Sequence, residues 1–185
     1  MSAYTEDYIM SRDIDWFFMI NGKYPIHASS FGGTLPKIIN NREQNRSFQN
    51  MVWSVSEDDN NEYQLRNIQN DIQYDDQYAE DSIKENNLDN HVDAKRNYLL
   101  PFITMSVMGF YSFDREKLED PTDNHYHLVS WPKHDDAGVA NPVKIDPRIA
   151  QLLPNIDMPD EVAHEMLEKG TSVDLVELVE KYSMN

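Results

Sequence analysis

The residues in the first thirty positions that can do chemistry are two aspartates, a histidine and a serine. Asp13 and Asp15 flank the start of one apolar run, and His27 and Ser29 end the next one. Two carboxylates, an imidazole and a hydroxyl on one face of a hairpin can move protons or bind Zn²⁺, Mn²⁺ or Fe²⁺. In the alternative interpretation, the acids protect an exposed strand end and His27 is an ordinary cross-strand partner.

A β-hairpin is needed to bring these four residues together. Asn21-Gly22 separates the two apolar runs, which is a strong hairpin signal. A loop over residues 20–22, with Gly22 in the left-handed region, puts Asp15 opposite His27. A two-residue loop mixes acids with aromatic side chains on one face, so burial favours the longer loop, which gives one apolar face. That face consists of Ile14, Trp16, Phe18, Tyr24, Ile26 and Ala28.

A second chemical signal is a pair of histidines two residues apart. His125 and His127 lie in a stretch typical of a strand, so both side chains point the same way, about 6–7 Å apart at Cα. Two such imidazoles can hold one metal ion, and His134, Asp135 or Asp136 can add a ligand from the following loop. The competing interpretation is an ordinary strand with two solvated histidines.

A third group of residues indicates protein recognition. Residues 57–97 contain twelve acids and four bases, whereas residues 1–56 contain five of each. An acidic surface that carries tyrosines can dock on a basic protein, because charge speeds the encounter and aromatic side chains anchor the complex. A solvated helix face is the alternative. The candidate contact residues are Tyr63, Tyr74, Tyr78, Asp75 and Asp76.

Composition narrows the class of protein. The net charge of −17 disfavours binding to nucleic acid and to anionic membrane surfaces. The chain has no cysteine, which excludes disulfides and thiolate chemistry, and no apolar run long enough to span a membrane. Residues 1–13 lack the basic and apolar regions of a signal peptide, so we expect a cytoplasmic protein. Self-association of the chain is left open.

Apolar spacing and turn signals predict an α+β fold. An antiparallel β-sheet with an N-terminal β-hairpin is expected over residues 1–145, which include the acidic insertion 57–97. A C-terminal helical subdomain, residues 146–185, is expected to pack on this sheet. The predicted helix starts there are Asp146-Pro147, Pro159, and Thr171 with Asp174 at capping-box spacing. The other predicted elements are strands at 13–20, 23–30, 51–55, 101–113 and 125–131 and a helix at about 61–85.

These signals together favour a non-enzymatic, acidic module that binds or regulates a protein. An inhibitor, an immunity-type protein or an assembly partner fits this description, and none of these needs a cofactor. The basis is the concentrated negative charge and the lack of a complete catalytic motif. The alternative is a metal-dependent enzyme that uses His125 and His127 with a bound Zn, Mn or Fe ion.

Overall fold

One sheet with helices against both faces forms the described part of the chain. The structure, a computed structural model, describes residues 3–39, 41–58, 72–86, 93–120, 122–133 and 145–183. The α+β class predicted from the sequence is confirmed. The helices are α1 (Glu6–Met10), α2 (Arg42–Asp58), α3 (Asp76–Glu85), α4 (Ala94–Val107), α5 (Pro147–Ala150), α6 (Asp160–Met166) and α7 (Leu175–Ser183), with a 3₁₀ turn at Lys37–Ile39. The strands are β1 (Asp15–Ile20), β2 (Tyr24–Ser29), β3 (Ile72–Tyr74), β4 (Tyr111–Arg115), β5 (His125–Pro132), β6 (Asn155–Ile156) and β7 (Ser172–Asp174).

The sheet is mixed, although most of its pairings are antiparallel. The strands lie in the order β3-β5-β4-β2-β1-β6, and β7 pairs with β5. Strands β2 and β4 are parallel, as are β1 and β6. A parallel pair needs a crossover connection, and α2, α3 and α4 lie in the connection between β2 and β4. Among the helices described, none has the length and apolar character to cross a bilayer.

The hairpin register differs from the predicted one by two residues. Asp15 pairs with Ser29, and His27 lies opposite Phe17, so the predicted pairing of Asp15 with His27 is wrong. A shift of two residues keeps every side chain on its face, because strand side chains alternate. The predicted apolar face is therefore confirmed, and its six residues are buried in one core cluster.

The hairpin turn has three residues, as predicted, but it covers residues 21–23 instead of 20–22, and contacts from outside the hairpin hold it. Asn21 joins Gly22 in the left-handed region, with φ angles of 52° and 63°. The Asn21 side chain donates to the Met158 carbonyl (2.9 Å) and accepts from the Met158 N–H (2.8 Å). The Gly22 N–H donates to Asn155 Oδ1 (2.7 Å). Partners this far along the chain are not visible in the local sequence.

The C-terminal segment covers the first face of the sheet and also adds two strands to it. Helices α6 and α7 bury apolar side chains against the hairpin, while β6 pairs with β1 and β7 with β5. The predicted start at Asp146-Pro147 is confirmed, since Asp146 accepts from the Arg148 N–H (2.8 Å). The predicted cap at Thr171 is wrong. Residues 172–174 pair as β7, and Asp174 caps α7 instead.

Helices α2 to α5 cover the second face of the sheet. Two segments that were predicted as strands, residues 51–55 and part of residues 101–113, are helical here. Residues 51–55 lie within α2, because Phe48 and Val52 pack at helical spacing on Phe17 of β1. Residues 101–113 divide into the end of α4 and the start of β4. Gly109, with φ 102°, ends the helix between them. Most of the run is apolar because both elements contribute side chains to the core, which explains the wrong prediction of one long strand.

The predicted helix at about 61–85 is confirmed only at its C-terminal end. Residues 72–74 form β3, and Asp75 caps α3 by accepting from the Tyr78 N–H (3.2 Å). Residues 59–71 lie outside the described part of the chain, so the first half of that prediction stays a prediction.

A buried arginine holds two loops against the end of β4. Arg115 is 1% exposed, and its guanidinium donates to three backbone carbonyls, those of Phe31, Leu118 and Asp120 (3.1–3.2 Å). Gly33 packs directly on this side chain, and a Cβ there would lie 2.7 Å from Arg115 Cδ and 3.0 Å from the Ser30 carbonyl. The loops therefore close over Arg115 only if residue 33 has no side chain.

We expect Gly33→Ala to lower the free energy of unfolding by about 1–3 kcal/mol, because the added methyl group overpacks the Arg115 site. Urea denaturation followed by fluorescence measures the change. Gly22→Asn is the matched control, since nothing lies within 4 Å of a Cβ there and Asn tolerates its positive φ. A Gly33→Ala protein as stable as the control would contradict this packing.

Candidate functional site

A row of polar side chains crosses the middle of the second face of the sheet. Strand pairing places His27 of β2 beside Ser112 of β4, Ser29 beside Asp114, and Asp114 beside His127 of β5. All five are buried. Polar groups in such a place need hydrogen-bond partners, so the contacts within this row determine its chemistry.

His27 is held through both of its ring nitrogens. Nδ1 lies 2.6 Å from Ser112 Oγ, and Nε2 lies 3.1 Å from Asp15 Oδ1. The Trp53 indole donates to the other carboxylate oxygen of Asp15 (3.3 Å). Burial by itself raises the pKa of Asp15, but the hydrogen bond and charge of His27, with the bond from Trp53, bring the pKa below its usual value. Asp15 therefore stays an anion near neutral pH.

The order Asp15, His27, Ser112 has the residue types of a hydrolase triad, yet Ser112 does not fit the role of nucleophile. Ser112 is the second residue of β4 and is 0% exposed. A pocket opens beside the polar row, and Ser112 does not line it. A substrate needs access to the attacking oxygen. Ser112 is thus a residue that orients the imidazole of His27.

Asp13 and Ser29 form a second pair next to the first. Ser29 Oγ donates to Asp13 Oδ1 (2.9 Å), and the Phe31 N–H donates to the same oxygen (2.9 Å). The four residues singled out in the hairpin thus lie together as two hydrogen-bonded pairs, Asp15 with His27 and Asp13 with Ser29.

Asp114 links the hairpin to the helices above it. Its Oδ2 accepts a 2.6 Å hydrogen bond from the Tyr98 hydroxyl of α4. Burial raises the pKa of Asp114 to about 7, although the bond from Tyr98 acts in the opposite direction and the charge of Asp13 adds to the rise. Burial, followed by the charge of Asp114, also raises the pKa of Tyr98 well above its usual value. Asp114 is therefore a carboxyl group that gains or loses its proton near neutral pH.

A pocket of about 410 Å³ opens beside this row. Asp13, Asp15, Asp114 and Glu119 supply carboxyl groups to its wall, and His27, Ser29 and Tyr98 supply other polar groups. The apolar part of the wall comes from Phe31, Pro101, Phe102 and Leu118. The volume is typical of a small-molecule site.

The two histidines of β5 have separate partners. His125 is half-exposed, and its Nδ1 lies 2.8 Å from Asp123 Oδ1. His127 lies between Asp75 (3.3 Å) and Glu116 (3.7 Å). His134, Asp135 and Asp136 lie outside the described residues. Within the ranges that the structure describes, no group of three or more His, Asp or Glu side chains is placed to hold a metal ion. The metal site thus stays a prediction.

The candidate partner-binding residues differ in accessibility. Tyr74, at the end of β3, is 41% exposed, and Asp76, at the start of α3, is exposed. Asp75 is buried as the α3 cap, and the Tyr78 ring stacks on His127 with centroids 3.8 Å apart. Tyr63 lies outside the described ranges. Among the four candidates that the structure describes, Tyr74 and Asp76 are therefore the exposed ones.

Sequence reasoning missed Ser112, Asp114 and Tyr98. The signal was present in residues 111–115, where Tyr and Phe alternate with Ser and Asp as in a strand with one polar face. Reading residues 101–113 as one buried strand concealed this alternation. Tyr98 has no local signal, because its role depends on how α4 crosses the sheet.

No protein-family model matches the chain, and no curated protein or solved structure matches it either. Its function therefore has to be argued from the site.

We expect Asp114→Asn to remove a pH dependence of stability. A carboxyl group whose pKa is higher in the folded state contributes stability at low pH, which is lost as the pH rises from its usual pKa near 4 to about 7. Across that window, the free energy of unfolding of the variant should rise relative to that of the wild type by at most about 1.4 kcal/mol per pH unit. Urea denaturation at several pH values measures this, with Asp7→Asn on α1 as the exposed control. Parallel stability profiles for wild type and Asp114→Asn would show that the Asp114 pKa is not raised.

Proposed function

We propose that the pocket beside the polar row binds a small organic cation with an apolar body, and that Asp114 loses its proton when this ligand binds. The observation that carries the proposal is a pair of carboxyl groups in one wall with opposite pKa shifts. The pKa of Asp15 is lowered, and the pKa of Asp114 is raised to about 7.

The two carboxyl groups can therefore have different roles. Asp15 remains charged, so it can balance a positive charge on the ligand. Asp114 is part protonated near neutral pH, so it can give or take a proton. Two carboxyl groups whose surroundings move their pKa values apart are the usual basis of acid–base assignments in enzymes.

The wall also defines the chemical class of the ligand. Four carboxyl groups contribute to it, and no Lys or Arg does among the wall residues that the structure describes. Phe31 and Phe102 offer aromatic surface, which suits an apolar or aromatic body and interacts favourably with a cation. An anionic ligand would meet several carboxyl groups in the same space.

His27 supports the site without acting as its free base. Both of its ring nitrogens are engaged, by Ser112 and by Asp15, and its ring packs on Phe17 (centroids 5.2 Å apart). The imidazole thereby fixes the direction in which Asp15 presents its carboxylate.

Three probes of similar shape and different charge test this proposal: phenethylamine, 2-phenylethanol and 3-phenylpropionate. We expect calorimetry to show that the amine binds best, and about tenfold more tightly near pH 8 than near pH 5.5, because Asp114 ionises between them. Asp114→Asn should remove this pH dependence, and Asp15→Asn should weaken amine binding at both pH values.

Two results would contradict the proposal. One is equal affinity for the three probes, or tighter binding of the carboxylate. The other is the absence of saturable amine binding up to about 20 mM, since a specific pocket of this size should exceed that affinity. Lys117→Gln, an exposed change on a neighbouring loop, is the control for non-specific charge effects.

We also propose, as a second candidate, that an acidic surface around Tyr74 and Asp76 docks a basic protein in the cytoplasm. The observation in its favour is an exposed tyrosine two residues from an exposed acid, Asp76, which pairs with Lys95, in a chain of net charge −17. Aromatic anchors and charge complementarity are typical of such interfaces.

For this second candidate, Tyr74→Ala combined with Asp76→Asn should abolish recovery of a basic partner in a pull-down at low salt. The same partner should also be lost from the wild type at about 0.5 M salt, because exposed charges are screened there. Partners that are not basic, or an affinity that is indifferent to salt, would argue against it. Glu161→Gln, an exposed acid on α6, serves as the matched control.

A further inference from the structure

A second pocket, of about 440 Å³, lies between α1, α2 and the start of β1 and differs in charge from the first. Three arginines contribute to its wall, Arg12, Arg42 and Arg46, together with Gln49 and Asn50. This is notable in a chain with 33 acidic and 16 basic residues. We call it the arginine pocket.

Stacking on one tyrosine positions two of the guanidinium groups. The guanidinium carbons of Arg12 and Arg42 lie 4.8 Å and 4.2 Å from the centroid of the Tyr8 ring. Tyr8 in turn stacks on Tyr4 (centroids 5.7 Å apart), whose hydroxyl accepts from Asn45 of α2 (3.1 Å). Stacking uses the flat face of a guanidinium group and leaves its N–H groups, which lie in the plane, free for a ligand.

These arginines have no anionic partner within the described part of the chain. None of the three side chains forms an ion pair or donates a hydrogen bond to a described residue. Among the wall residues, one is an acid, Asp13, and its carboxylate accepts from Ser29 and from the Phe31 N–H. Three like charges around one cavity repel each other, and a bound anion removes that cost.

We propose that the arginine pocket binds a phosphate group, either as inorganic phosphate or as the ester of a small molecule. The planar, forked N–H groups of arginine match phosphate oxygens in pairs, and a doubly charged anion balances several guanidinium groups better than a carboxylate does. The acidic remainder of the surface repels long polyanions such as nucleic acid, so the ligand is one small enough to enter the cavity.

Calorimetric titration at constant ionic strength tests the proposal with inorganic phosphate, glycerol 3-phosphate, glycerol and acetate. We expect saturable binding of the two phosphates only. Tighter binding of glycerol 3-phosphate assigns the site to a phosphate ester, and equal affinity assigns it to the free ion. Either result supports a phosphate site.

The central variant is Arg46→Gln, because Arg46 is exposed and its loss does not disturb the Tyr8 stack. We expect it to weaken phosphate binding by about tenfold, and Arg42→Gln to do at least the same. Arg148→Gln is the matched control, since Arg148 is exposed and pairs with Asp146 on α5. Circular dichroism checks that each variant folds.

Three results would overturn this inference: no saturable binding of phosphate up to about 50 mM, acetate binding equal to phosphate binding, or equal losses in Arg46→Gln and Arg148→Gln. The outcome does not depend on the proposed cation site. Asp15→Asn should leave phosphate binding unchanged, and Arg46→Gln should leave amine binding unchanged.

Discussion

The imidazole of His27 is the group around which the second face of the sheet is organised. It is almost fully buried, and both ring nitrogens have partners, Ser112 on one side and Asp15 on the other. A buried imidazole without these bonds costs free energy, and so does a largely buried carboxylate without its imidazole. His27 of β2 thus contacts both β4, through Ser112, and β1, through Asp15, so the positions of these strands affect the ionisation of Asp15.

Helices α2 and α4 also contact this face of the sheet, and they contribute hydrogen-bond donors to two carboxyl groups. Tyr98 of α4 donates to Asp114, and Trp53 of α2 donates to Asp15. Both bonds place an aromatic side chain over a carboxyl group, which removes solvent from it. For Asp114, removal of solvent outweighs the bond and raises the pKa. For Asp15, burial is the largest single effect, but the hydrogen bond and charge of His27 together with the bond from Trp53 outweigh it and lower the pKa. Asp15 also has a direct hydrogen bond to an imidazole, whereas the bond that Asp114 accepts comes from the Tyr98 hydroxyl.

Two neighbouring pockets in this molecule carry opposite charges. Asp13 contributes to the wall of both pockets, and its carboxylate is bonded to Ser29 and Phe31. On one side the wall is acidic, and on the other it carries three guanidinium groups. The net charge of −17 thus describes the average surface and not the environment that each pocket offers to a ligand.

The sequence by itself determined the α+β class, the hairpin and which hairpin residues share each face. Alternation of side chains along a strand is a local property, so it held even though the register moved by two residues. The start at Asp146-Pro147 was equally legible, because a cap involves only neighbouring residues. Only the tertiary structure decided that residues 51–55 are helical, that Asp114 stands beside Ser29 and His127, and that Tyr98 bonds to it. Those outcomes depend on strand order and on helices crossing the sheet, which bring together groups that are far apart in the chain. In the arginine pocket, Arg12 follows α1 whereas Arg42 and Arg46 lie on α2, so the meeting of Arg12 with the other two is a result of packing that the sequence does not show.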